Sequence, residues 1–361
     1  MKPRGPAAAP GDGGHPVTMK EIGRRAGVSQ STVSRILNGV EGAVRIPEET
    51  RERVFQAVRE LGYRPNPLAR GLRGARTEMI GLVVREVYDP FFSAVIAAVG
   101  FEARRRDHNL VIGYAQSRVE DAADITGVLE ARHCDGILLL GDLIDQHALA
   151  ARLAVPYRPM LALCVGTRAN GVPAVNTDNT AGARLALDHL WALGHRRIAF
   201  LDAGWLGDVR ERQDAYRAFM EERMGPPPAE YVQLAENDPR GGYRAASVLL
   251  RLPERPTAVF ASTDTLAIGA VKAAADLGLG VPRDLSVVGF DDIPLAEFVV
   301  PSLTTVRQPL AEMAAIAVND LLAMVADPSF EPEPLRRLTP TLIERESTTG
   351  PPRVIEPARA P

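Results

Sequence analysis

Apolar residues recur along this chain with two different spacings. Near the start, Val33, Ile36 and Leu37 fall at i, i+3 and i+4, the stripe of a short helix from about Gln30 to Leu37. Thr18 precedes an earlier stripe, and Glu21 stands three residues later at the capping-box spacing, which predicts a helix from about Met19 to Ala26. Gly27 is placed to end that helix, Ser29 to cap the next, and Asn38-Gly39 to stop it. Pro47 suits the first turn of a third helix, in which Val54, Val58 and Leu61 repeat at i, i+4 and i+7 before Gly62. From Met79 the pattern changes to short continuous apolar runs: 79–84, 109–115, 136–141, 159–165, 197–203, 257–262 and 285–290. Amphipathic stretches, such as 92–106, 181–193 and 265–277, lie between them. Apolar strands alternating with helices predict parallel sheets covered on both faces, and the length suits two of them.

The outer face of the second helix carries Gln30, Ser31, Ser34 and Arg35 and no carboxylate. Amide, hydroxyl and guanidinium groups on a helix can hydrogen-bond base edges and phosphates in the major groove, which is the use a helix-turn-helix makes of them. An ordinary corner between two helices with a solvated face would show the same periodicity. Charge adds a further sign. The whole chain has a net charge of −3, but residues 17–76 hold 12 Lys and Arg against 6 Asp and Glu, so a basic head precedes an acidic remainder. Hydrophobic content of 46% and charged content of 24% are those of a globular protein, and no apolar run approaches a membrane span.

The first 16 residues are rich in Pro, Gly and Ala, lack the apolar core of a secretory signal, and are expected to be disordered. Cys134 and Cys164 lie in or beside apolar segments and are expected to be buried thiols in a reducing compartment.

The stretch VTMKEIGRRAGVSQSTVSRILNG closely resembles the DNA-binding headpiece of the LacI/GalR (lactose-repressor) family of bacterial transcriptional regulators. Later stretches resemble the same family's body: DPFF at 89–92, 177–201, STDTLAIGA at 262–270, LSVVGFDDIP at 285–294, PSLTTVRQP at 301–309 and LIEREST at 342–348. The resemblance implies an N-terminal all-α helix-turn-helix headpiece followed by an α/β body of two doubly wound subdomains, like the type I periplasmic binding proteins. It implies these bounds: a tail at 1–16, the headpiece at 17–63, a hinge linker or helix at 64–77, an effector-binding and dimerisation domain at 78–349, and a tail at 350–361. The body would divide into an N-subdomain (about 78–176 and 308–337) and a C-subdomain (about 177–307 and 338–349). The chain would cross between them near 176–178, 306–308 and 337–339. The expected DNA-contacting set is Thr18, Gln30, Ser31, Thr32, Ser34, Arg35 and Asn38. Leu72, in the basic segment 64–76, matches the leucine that wedges between base steps when the hinge helix forms on DNA. Gly71 departs from a good helix former there, and a plain flexible linker is the alternative.

Ligands of open α/β sheets sit beyond the carboxyl ends of the strands. In this chain those ends lead to Asp291-Asp292, Thr263-Asp264, Asp178-Asn179 and 88–92, and Arg212 follows the run 197–203 on a loop-to-helix segment at 208–216. A carboxylate, an arginine and an aromatic wall suit a sugar or polyol. The resemblance makes Asp291 the acceptor of ligand hydroxyls, Arg212 a donor to ring oxygen, hydroxyl or carboxylate, and Phe91 or Phe92 the apolar face. Asp178, Asn237 and Thr263 match by position. Each acidic residue would serve equally as the N-cap of the helix after it. Asp264 and Asp292 are expected to be structural, and His189 and His195 to belong to a helix end.

The chain is thus expected to be a cytoplasmic, nucleoid-associated repressor, a homodimer binding palindromic operator DNA under control of a small-molecule effector, with no cofactor and no metal. A transport-type solute-binding protein would share the body but needs an export signal and no basic head. An enzyme on a doubly wound fold needs a phosphate-cradling Gly loop, a nucleophile–base pair or a metal site, and none is found. Asp291 and Asp292 are adjacent, so their side chains should diverge, which is poor geometry for an acid–base pair.

Overall fold

The capping box predicted at Thr18 forms. The Thr18 N–H donates to Glu21 Oε2 at 2.7 Å, and the Glu21 N–H returns to Thr18 Oγ1 at 3.3 Å. This opens α1 (Met19–Ala26), which Gly27 closes in the left-handed conformation at φ 70°. In the computed structural model, residues 17–37, 46–63, 76–115, 124–127, 129, 134–142, 159–166, 172–204 and 207–352 are described. They belong to two units that meet in sequence at Ala75 and Arg76.

In the first unit, α2 spans Gln30–Leu37 and α3 spans Glu48–Leu61. Pro47 sits one position earlier than expected, as the N-cap of α3 rather than in its first turn. The α1–α2 corner is tight because residue 23 has no side chain: a Cβ there would meet the carbonyl oxygen of Val28 at 2.7 Å. Ile22, Ala26, Val33, Ile36, Val54 and Ala57 are buried together, closing a three-helix core.

In the second unit every apolar run became a strand. They are β1 (Met79–Val84), β2 (Asn109–Tyr114), β3 (Gly136–Leu140), β4 (Met160–Leu163), β6 (Ile198–Asp202), β8 (Ala258–Ala261) and β9 (Ser286–Asp291). Shorter strands join them: β5 (Ala174–Thr177), β7 (Val232–Leu234), β10 (Thr304–Arg307), β11 (Leu335–Leu338) and β12 (Thr341–Ile343). They make two six-stranded sheets, one ordered β11-β5-β4-β3-β1-β2 and the other β12-β10-β9-β8-β6-β7. We call these halves lobe 1 and lobe 2. Pairing is parallel except at one edge, where β12 runs antiparallel to β10. Helices α4 (Pro90–Arg104), α5 (Asn179–Ala192), α6 (Gly207–Met224), α7 (Pro239–Leu249), α8 (Asp264–Asp276) and α9 (Leu310–Ala326) cover the sheets. This is the doubly wound pattern that buried apolar strands require.

The chain passes between the lobes three times: from β5 into α5, from β10 into α9, and from β11 into β12. At the first and third passages the Asp178 N–H donates to the carbonyl of Leu338 at 2.8 Å. Cys134 and Cys164 are both buried. Among the described residues no helix is long and apolar enough to cross a membrane.

Candidate functional site

Two surfaces carry chemistry, one in each unit. In the first, Ser29 caps α2: its Oγ accepts the Thr32 N–H at 3.1 Å and lies 2.8 Å from the hydroxyls of both Ser31 and Thr32. Val33 and Ile36 turn inward, leaving Gln30 and Ser31 exposed and Thr32, Ser34 and Arg35 half-buried at the flank. The predicted face therefore exists as a surface. Thr18 is exposed, but its hydroxyl serves the cap, donating to Glu21 Oε2 at 2.9 Å. Asn38 and Leu72 lie outside the described residues, as does nearly all of the linker around Leu72.

The second surface is the space between the lobes, at the carboxyl ends of the strands. Arg212 was expected on a loop entering a helix. The structure corrects this, because α6 already begins at Gly207 and Arg212 lies a turn and a half inside it, 1% exposed. Its guanidinium stacks on Phe290, 3.7 Å from the ring centroid, and is held on several sides. Nε donates to Asn179 Oδ1 at 2.9 Å, Nη1 to the Ser262 carbonyl at 2.6 Å and to Asp291 Oδ1 at 3.5 Å, and Nη2 to Asp208 Oδ2 at 3.3 Å. Asp291 also accepts from Gln308 Nε2 at 2.7 Å. Burial pushes the Asp291 carboxyl well above the usual range, and the Arg212 charge works against that rise.

The backbone at the end of β9, where Asp291 lies, is strained and tied down. Asp291 and Asp292 have φ of 115° and 55°, backbone that side chains other than Gly seldom adopt. Their carboxylates diverge as expected: Asp292 accepts from Arg307 Nε at 2.6 Å and Arg345 Nη2 at 2.7 Å. Beneath them, fully buried Asp264 takes the Ile293 N–H at 2.8 Å and the Thr305 hydroxyl. Burial raises the Asp264 carboxyl to about 7. Two consecutive left-handed residues persist where surrounding contacts over-determine them.

The remaining predicted residues divide. Thr263 caps α8 and also donates through Oγ1 to Asn237 Oδ1 at 2.7 Å. Asn237 Nδ2 in turn reaches across to Asp89 Oδ2 of lobe 1 at 2.9 Å. Phe91 and Phe92 are buried at the start of α4, and Phe92 lies under Arg85 at 4.8 Å, beyond the ends of β1 and β3. Asp178 is the N-cap of α5, accepting the Ala181 N–H at 2.9 Å, so its carboxylate is used by the helix start. Beside Asn237, a cavity of about 540 Å³ is lined by Arg85, Leu234, Glu236 and Arg244 among others.

Reasoning from sequence missed Asp142, Asp208 and Glu211, and it placed Asn179 at a strand end and residue 308 at a crossing without giving either side chain a partner. Asp142 was within reach of the carboxyl-end rule, because it follows the apolar run at 136–141. Its carboxylate accepts the Gly166 N–H at 3.0 Å within lobe 1 and the Gly207 N–H of lobe 2 at 2.7 Å. His189 and His195 lie where helix-end residues should. His195 is fully buried among Thr257, Ser286 and the Thr349 carbonyl, and desolvation lowers its pKa. Among the described residues no group of three or more His, Cys, Asp or Glu could hold a metal ion.

Known proteins resemble the chain along most of its length. Residues 18–66 match the family of bacterial regulatory proteins named for lacI, and residues 187–348 match the periplasmic binding protein-like domain. The HTH-type transcriptional repressor PurR of Escherichia coli O139:H28 is 32% identical over 93% of this chain and 98% of its own length. The lac repressor dimer, solved bound to operator and the anti-inducer ONPF, superposes with a TM-score of 0.84 at 29% identity, covering 93% of this chain and all of that one. The regulator CelR in complex with cellobiose gives a TM-score of 0.68 at 30% identity, over 92% of this chain and 99% of that one.

Proposed function

The chain belongs to the lacI family of bacterial regulatory proteins, and from that premise we propose that it is a transcriptional repressor whose grip on operator DNA is set by a small neutral molecule, a sugar in the first instance, held between the two lobes. The observation that carries the effector half of this reading is the buried Asp291–Arg212 pair at the carboxyl ends of the lobe 2 strands. A carboxylate and a guanidinium fixed side by side offer both an acceptor and donors to vicinal hydroxyls, and Phe92 offers an apolar wall. In this reading Phe91, Asn237 and Thr263 line the same space, and Asp178 holds the first crossing as a cap. The DNA half rests on the flank of α2, where Gln30, Ser31, Thr32, Ser34 and Arg35 have the groups that read base edges. Thr18, the N-cap of α1, and Asn38 and Leu72 complete the proposed contact set.

A single short helix reads only a few base pairs, so the working form is a homodimer reading a palindrome. Exposed Phe101, Ile112 and Tyr114 on lobe 1, with Phe298 and Val300 on lobe 2, supply apolar surface for such an interface. The relatives are named as repressors rather than enzymes, and the proposed place of action is the cytoplasm, at the nucleoid. The effector is found by thermal shift. The full chain is melted against a panel of mono- and disaccharides and nucleobases, because a ligand that binds the folded state raises the melting temperature by mass action. The expected result is a rise with a neutral polyol that Asp291→Ala abolishes. A hit whose shift survives in Asp291→Ala would reject the site.

A further inference from the structure

We propose that Glu211 is a coupling residue, which passes the state of the Asp291–Arg212 pair to all three chain crossings through a ring of hydrogen bonds. The inference rests on the reading of that pair as the effector site and adds how its occupancy would reach the rest of the molecule.

The ring can be followed atom by atom. It starts in lobe 1 at Arg337, on β11 just before the third crossing, whose Nη2 donates to Glu211 Oε1 of lobe 2 at 2.9 Å. Glu211 Oε2 accepts from Asn179 Nδ2 at 3.1 Å, at the first turn of α5 and so at the first crossing. Asn179 Oδ1 accepts from Arg212 Nε, and Arg212 Nη1 reaches Asp291. Asp291 accepts from Gln308, which lies between β10 and α9 at the second crossing. Gln308 Oε1 accepts from Thr177 Oγ1 at 2.6 Å, back in lobe 1 at the end of β5. Strands β5 and β11 are neighbours, with Asn176 opposite Arg337 and Thr177 opposite Leu338, so the path closes on itself.

Three properties suit this ring to signalling rather than to stability alone. It passes through the ligand pair, so a ligand competing for Asp291 or Arg212 must loosen a link. It is largely buried: Thr177, Asn179, Arg212, Asp291 and Gln308 are each no more than 6% exposed, so its bonds act in a low-dielectric interior. And Glu211 bridges the lobes from outside the pair, so replacing it need not remove a ligand contact.

The test reads hydrogen exchange by mass spectrometry on the full chain, free of ligand and DNA. Glu211→Ala is expected to speed amide exchange by roughly two- to thirtyfold across residues 304–310, which lie on the far side of the pair from the bonds it removes. Glu211→Gln, which keeps the volume, is expected to give the same pattern at smaller amplitude, and it takes over if the alanine variant does not fold. In an Asp291→Ala background, which removes the oxygen that Arg212 and Gln308 share, Glu211→Ala is expected to add nothing at 304–310. Acceleration confined to α6 and β11, or an undiminished effect in the Asp291→Ala background, would overturn the proposal. Failure of the effector reading would show elsewhere, as ligand-induced thermal shifts that persist in Asp291→Ala.

Discussion

The two surfaces of this molecule are built on opposite plans. The flank proposed to read DNA occupies one eight-residue helix, and its side chains stand outside a small apolar core. The cleft draws Asp291, Arg212, Gln308 and Asn179 from four segments spread between residues 179 and 308 and buries them against one another. A side chain on the flank can be altered with little cost to folding. A side chain in the cleft is part of the fold, so recognition and stability are coupled there.

The largest expected break in that contrast is Arg212→Met. Removing the cation leaves Asp208 and Asp291 facing each other without it, and losing one partner of a buried ion pair costs about 3–5 kcal/mol. The melting transition of the body should fall accordingly; an unchanged transition would mean the cleft is no more integral than the flank. Asp264 sharpens the comparison through pH. Its carboxyl is raised from 3.8 to about 7, so the fold favours the protonated form. Its contribution is therefore fully present below about pH 4 and lost as the pH rises through about 7. Asp264→Asn, a neutral isostere, should gain stability relative to the parent across that window and hold the difference steady above it. A flat difference curve would place the proton elsewhere.

On the flank, Arg35→Ala should weaken binding to a selected palindromic duplex by ~1–3 kcal/mol while the melting curve stays in place. A lowered melting temperature with unchanged DNA affinity would reverse its assignment. The smallest effect belongs to Ser29→Ala, which removes the α2 cap at a cost of about 1 kcal/mol to the headpiece, measurable by urea unfolding of the headpiece transition.

Legibility from sequence followed the same division. The capping box at Thr18, the stops at Gly27 and Gly62 and the three-helix core are set by residues three or four apart, and periodicity shows them. Continuous apolar runs likewise marked the strands at the middle of each sheet, such as β3 and β8, but not the buried β5 (AVNT). Strands β7, β10, β11 and β12 are three or four residues long and carry polar or charged side chains, so no run announced them. The site was legible only in part. Asp291 stood out because it ends an apolar run, whereas the start of α6 was read about a turn and a half late because the helix has no strong apolar stripe there. Asn179, Glu211 and Gln308 are ordinary polar residues in ordinary contexts. Only the meeting of β5, β10 and β11 at the crossings gives them partners.

The most direct test is an equilibrium titration of a selected palindromic duplex, with and without the metabolite that stabilises the purified chain, on the parent and on Asp291→Ala. Control from the cleft predicts that the metabolite moves the parent's Kd by about fivefold or more and leaves that of Asp291→Ala where it was. Equal shifts in both proteins would contradict it.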